Sequence, residues 1–125
     1  MTERIARYPY EAAVTAYGNG GFRFAEMSHK GSILCLPSGV YAWDVTQPED
    51  LTLAHFEAVL AEMKPPGFLL LGTGASQVFM GADITKAFAT AGIGLEVMST
   101  GGAARTYALM LDEKRAVAAA LIAVA

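Results

Sequence analysis

The sequence predicts a single mixed α/β (α+β) domain, with an N-terminal antiparallel meander, a C-terminal βαβ unit and helices packed around the sheet. Three observations predict it. Short runs bearing aromatic residues alternate with glycine turns through the first third of the chain. A helical period sets in at Thr52. A strand, a helix and a strand then follow within about thirty residues, the length of a βαβ unit.

The meander starts with Ala13 to Tyr17, turns through Gly18-Asn19-Gly20-Gly21 and returns through Phe22 to Phe24, which is a hairpin signal. Met27 to His29, the Lys30-Gly31 turn, Ser32 to Leu36, the Pro37-Ser38-Gly39 turn and Val40 to Ala42 continue the rhythm. Leu53, Phe56, Val59, Leu60 and Met63 then share one helical face, with Thr52 as N-cap and Pro65-Pro66 as the stop. Gly67 to Leu71 is a short continuous apolar run between turn residues, the pattern of a central strand buried on both faces. Val78-Phe79 is ambiguous. Ala82 to Ala91 reads as a helix ended by Gly92, and Leu95 to Met98 as a strand parallel to the run before it. The chain is expected to close on two helices, Ala103 to about Leu111 and a second one capped by Asp112 that carries Val117, Ala120, Leu121 and Val124.

At 125 residues the chain can bury one continuous core without disulfides or metal. Its apolar share is 54% and its charged share 17%, so much of its surface must be hidden, part of it against another copy or a protein partner. The net charge of −3, with Lys and Arg scattered among acids, excludes a basic stripe and with it nucleic-acid binding. The start, Met1 to Arg7, is polar and lacks the apolar stretch of a signal peptide. The longest apolar run, Ala116 to Ala125, falls far short of the ~20 residues that span a bilayer. A cytoplasmic protein with no membrane insertion is the expectation.

Cys35, the only cysteine, excludes an internal disulfide and sits in the apolar run Ile33 to Leu36, where a buried core residue is expected rather than a nucleophile. His29 and His55 have no carboxylate at metal-ligand spacing, so neither a metal nor a cofactor is expected. The serines form no Gly-x-Ser-x-Gly elbow. Gly72-Thr73-Gly74 follows a buried strand, where a dinucleotide fingerprint would begin, but Gln77 occupies the third glycine's place. Tyr41 and Trp43 are either exposed anchors for a partner or core, and Tyr107 is expected in the core with its hydroxyl reaching a backbone group.

One constellation remains. The strands ending at Leu71 and Met98 are each followed by a glycine- and hydroxyl-containing loop, and the two loops are expected side by side. Thr73, Gly74, Thr100 and Gly101, with Arg105 one turn into the next helix, would then form a small anion or ligand site. The competing reading pairs Arg105 with Glu96 or uses it to cap a loop.

Taken in order, Tyr17-Gly18-Asn19-Gly20-Gly21-Phe22, Gly31-Ser32, Pro37 with Trp43, Leu70-Leu71-Gly72-Thr73-Gly74, Gly92-Ile93, Glu96-Val97-Met98, Thr100, Ala104-Arg105-Thr106-Tyr107 and Ala116 to Ile122 resemble the Mth938-like family. This is the domain-of-unknown-function family that includes mitochondrial complex I assembly factor 3. The resemblance implies a mixed sheet with packed helices, no established enzyme activity and a role exerted through protein partners. Two functions follow as expectations: a non-enzymatic interaction module, an assembly or accessory factor, and alternatively a small-molecule or anion-binding protein using the strand-end site.

Overall fold

The computed structural model describes residues 6–125; residues 1–5, most of the polar start, lie outside them. Asn19 and Gly20 both have positive φ, 53° and 78°, so they form the tight turn whose twist matches two antiparallel strands. Those strands are β1 (Val14–Gly18) and β2 (Gly21–Phe24), and β3 (Met27–Lys30) completes a three-stranded antiparallel sheet in the order β1-β2-β3. The expected meander does not continue into one sheet. At Gly31, φ 94°, the chain leaves the first sheet and starts a second. Burial gives the reason: β4 (Ser32–Leu36) is buried at every residue while β3 is largely exposed, so β4 needs a layer on each face.

The second sheet runs β5-β4-β8-β6-β7, where β5 is Gly39–Trp43, β6 Gly67–Gly72, β7 Ile93–Met98 and β8 Val117–Leu121. The βαβ unit is as expected: β6 and β7 are parallel neighbours, Leu71 opposite Val97, joined by α2 (Ala82–Ala91). The helix expected from Leu53 divides into a 3₁₀ turn, Leu53–Phe56, and α1 (Glu57–Glu62). Thr52 is its N-cap, and the capping box is closed by the His55 ring, whose Nδ1 accepts the Thr52 N–H at 2.9 Å.

The C-terminal expectation is overturned. α3 (Thr100–Asp112) is the last helix, and residues 117–121 are strand β8, not a helix capped by Asp112. β8 lies antiparallel to β4 and parallel to β6, with Ala119 opposite both Cys35 and Leu70. Alanine is the best helix former, by up to ~0.7 kcal/mol per residue over ordinary residues. Burial of five consecutive residues between two strands outweighs that preference.

Strand alternation divides the core in two. Leu34, Leu36, Leu69, Leu71, Ala118 and Ala120 face α1 and α2, where Trp43, Phe56 and Phe88 meet edge to face at centroid distances of 5.8 and 5.6 Å. Ile33, Cys35, Leu70, Val117, Ala119 and Leu121 face the opposite way, toward Tyr107 of α3 and Phe22 and Phe24 of the small sheet. The five-stranded sheet is therefore the middle of three layers.

The turn between β2 and β3 is Ala25-Glu26, with φ of 48° and 63°. Neither residue favours the left-handed region, which costs roughly 1–2 kcal/mol for an ordinary side chain. Ala25→Asn with Glu26→Gly is expected to raise stability by about 1–2 kcal/mol, seen as a higher urea midpoint with an unchanged slope.

Candidate functional site

The two strand-end loops do lie side by side. Thr73 N–H donates to the Met98 carbonyl at 3.0 Å, and the Thr100 N–H donates to the Gly74 carbonyl at 2.8 Å. The Gly74 N–H returns a bond to Thr100 Oγ1 at 2.9 Å, and that hydroxyl donates to the Ile122 carbonyl at 2.7 Å. Gly72 is required because a Cβ there would run into the Thr100 backbone, at 2.7 Å from its Cα. Gly74 is required by its φ of 103°.

The polar atoms of three residues of the expected anion site, Thr73, Gly74 and Thr100, are engaged in this way. Thr73, buried, donates its hydroxyl to the Ser76 carbonyl at 2.7 Å and accepts the Val78 N–H at 2.9 Å. The Ser99-Thr100-Gly101-Gly102 loop is the opening turn of α3 itself, so the helix starts three residues earlier than expected. Ser99 is its N-cap: its Oγ accepts the Gly102 N–H at 3.2 Å, and its carbonyl accepts the Ala103 N–H at 2.9 Å. Thr73, Gly74 and Thr100 are thus brought together, while Gly101 and Arg105 face a different space.

That space is a groove of about 550 Å³ between β1 and α3. Val14, Thr15, Ala16 and Tyr17 form one wall. Gly101, Ala104, Arg105 and Ala108, spaced by three and four along α3, form the other with Leu109. Tyr17 leans over the start of the helix, its hydroxyl in the space a Cβ on Gly101 would take. Tyr17 and Leu109 are large apolar side chains 47% and 67% exposed, so the groove is both apolar and open. Arg105 is exposed and forms no ion pair among the described residues, so the pairing with Glu96 is not made. The sequence reading passed over this groove. Its signal was Leu109, an apolar residue off the helix face that buries Ala103, Ala104 and Tyr107.

The remaining candidates are structural. Burial pushes the Cys35 thiol up to about 12, which keeps it protonated and unreactive. Trp43 is core, its indole N–H donating to the His55 carbonyl at 3.0 Å. Tyr107 is fully buried as expected, but its hydroxyl finds no hydrogen-bond partner among the described residues, and burial first, then Cys35 and Glu11, push its pKa upward. Glu62 clamps the β4–β5 turn to the end of α1, its carboxylate accepting the Ser38 N–H at 2.6 Å and the Ser38 hydroxyl at 2.7 Å. His29 is lowered by burial first and by Arg7 second, and no group of metal-ligating side chains gathers around either histidine among the described residues.

Thr100→Val leaves the Ile122 carbonyl and the Gly74 N–H without their partner, and is expected to cost about 2–4 kcal/mol. Thr100→Ser, which keeps both bonds, is expected to cost less than about 1.5 kcal/mol; urea unfolding of the two variants checks the difference. Cys35 is expected to resist alkylation at pH 8 in the folded protein and to react at once in denaturant, read by intact mass.

Known proteins share this architecture. A crystal structure of a Bartonella henselae protein, described as an outer membrane protein, is 43% identical, with a TM-score of 0.89 over 95% of this chain and 100% of that one. No helix among the described residues of the present chain is long and apolar enough to cross a membrane. A Mth938-like domain from Bordetella pertussis is 30% identical, with a TM-score of 0.76 over 98% of this chain and 92% of that one. An uncharacterized protein of Rhodobacter capsulatus is 33% identical over 98% of this chain and 93% of its own length. The zebrafish (Danio rerio) NADH dehydrogenase [ubiquinone] 1 alpha subcomplex assembly factor 3 is 28% identical over 87% of this chain, and the match spans 63% of that protein. A family profile described as a protein of unknown function (DUF498/DUF598) matches residues 14–122. The chain belongs to that family, whose members include Mth938-like domains.

Proposed function

We propose that the chain is a non-enzymatic protein-interaction module, an assembly or accessory factor, that docks its partner in the groove between β1 and α3. The observation that carries this reading is the exposure of Tyr17 and Leu109 on the two walls of an apolar groove. Kinship with the complex I assembly factors supports it, as does the internal engagement of the polar atoms at the strand ends. A photo-crosslinking residue at Leu109 in cells is expected to give a discrete protein adduct. The same residue at Lys86, on α2 across the central sheet, is expected to give none. Leu109→Asp is expected to reduce the adduct's partner binding at least tenfold, with stability changed by no more than about 0.5 kcal/mol. Equal labelling from both positions would refute the groove as the docking surface.

A second reading, a small-anion site reduced to the Gly101 and Arg105 side of the expected constellation, is favoured by one observation, the lack of an acid partner for Arg105 among the described residues. Inorganic phosphate decides between the two. The interaction reading expects no thermal shift in excess phosphate. A site occupied at a hundred times its dissociation constant would add ~2.7 kcal/mol, a rise of several degrees that Arg105→Ala would abolish.

A further inference from the structure

We infer that β1 receives an extended, acid-bearing segment of a partner protein as an added strand, laid between β1 and α3. The inference rests on the interaction reading and specifies how that groove is filled. β1 pairs with β2 alone and is the edge of its sheet. Successive strand residues point to opposite faces, yet Ala16 and Tyr17 both line the groove, so what borders it is the strand's edge rather than one of its faces. A row of backbone N–H and C=O groups lies along such an edge. Among the described residues, no backbone bond leaves Val14 to Tyr17 except toward β2. Thr15 is the extra residue of a bulge between Val14 and Ala16, so the regular part of the edge begins at Ala16 and the added strand is short.

The opposite wall leaves room for a backbone. Tyr17 covers Gly101, and past it Ala104 and Ala108 are the small residues of α3 that look into the groove, with nothing longer than an alanine methyl rising from them. Strand addition beside a helix uses such a slot: main-chain bonds to the edge supply affinity, and pockets for alternate side chains supply specificity. Tyr17 and Leu109 would hold the apolar side chains of the segment.

Charge names the other half of the segment. The chain as a whole carries −3, yet among the described residues Arg105 is the one charged residue lining the groove. A second hollow, about 340 Å³, shares Ala16 and Tyr17 with it and adds Arg23 and Lys30. None of these three cations has an ion-pair partner among the described residues. A carboxylate on the added strand complements Arg105, while Arg23 on β2 and Lys30 on β3 lie on the other side of β1 and add a favourable field rather than a contact.

The test uses the full chain, labelled with ¹⁵N, and synthetic hexapeptides of alternating valine and glutamate. The valine–glutamate peptide is expected to bind saturably, shifting and protecting the amides of β1. The same peptide N-methylated at alternate backbone amides is expected to bind at least tenfold more weakly, as is a valine–lysine peptide. Arg105→Glu, an exposed change that leaves the fold intact by circular dichroism, is expected to weaken the glutamate peptide at least tenfold and to strengthen the lysine peptide. Binding that N-methylation leaves unchanged would overturn strand addition while the Leu109 adduct kept the interaction reading standing. Absence of saturable binding by the glutamate peptide would do the same. Protection of β1 in the free protein that grows with its concentration would assign the edge to a second copy and overturn the inference.

Discussion

The structure depends on where the last strand goes. β8 enters the sheet between β4 and β6, antiparallel to one and parallel to the other, and so joins the N-terminal half of the chain to the βαβ unit. Two side-chain bonds hold its end, and a third fixes one of the hydroxyls that makes them. Thr100 Oγ1 donates to the Ile122 carbonyl, Ser32 Oγ donates to the Val45 carbonyl at 2.6 Å, and Ser32 Oγ accepts the Ala123 N–H at 2.9 Å. Both hydroxyls are buried, where a lost partner costs ~1–3 kcal/mol. Without β8, neither β4 nor β6 has its central neighbour, and the two cores lose their common wall.

The same placement sets the position of the groove. The alanines of β8 are small, and α3 packs on β6 and β8 with Tyr107 fully buried beneath it. With α3 held to the sheet on one side, Phe22 and Phe24 fix the small sheet over the neighbouring strands of the same face. β1 is the strand of that sheet that approaches α3, and the groove is the gap that remains between two elements anchored independently. The residues expected at an anion site divide: Thr73, Gly74 and Thr100 tie β6, β7 and α3 together, and Arg105 stands one turn along on the open side.

Much of this was legible in the residues. Asn19-Gly20 gave the first hairpin, and the apolar run Phe68 to Leu71 gave a central strand, because local pattern and tertiary role agree at both places. Val117 to Ile122 is the same kind of short apolar run, set off by the charges of Asp112 to Arg115, yet its alanines speak for a helix. Burial on both faces decides it, and burial is a property of the neighbours. The split of the meander at Gly31 was hidden for a related reason: β3 and β4 have similar lengths, and only the layer above β4 separates them. For the site, residue types and loop adjacency were readable, but the internal engagement of the hydroxyls and the β1 wall of the groove arise from contacts between distant segments.

Amide hydrogen exchange on the free protein tests the account most directly. β8 amides are expected to be among the slowest, exchanging only with global unfolding at the free energy measured by denaturant, while the outward amides of β1 exchange within the native state. Exchange of β8 as fast as that of β1, or β1 protected to the level of β8, would contradict a core organised around the last strand with an open edge beside α3.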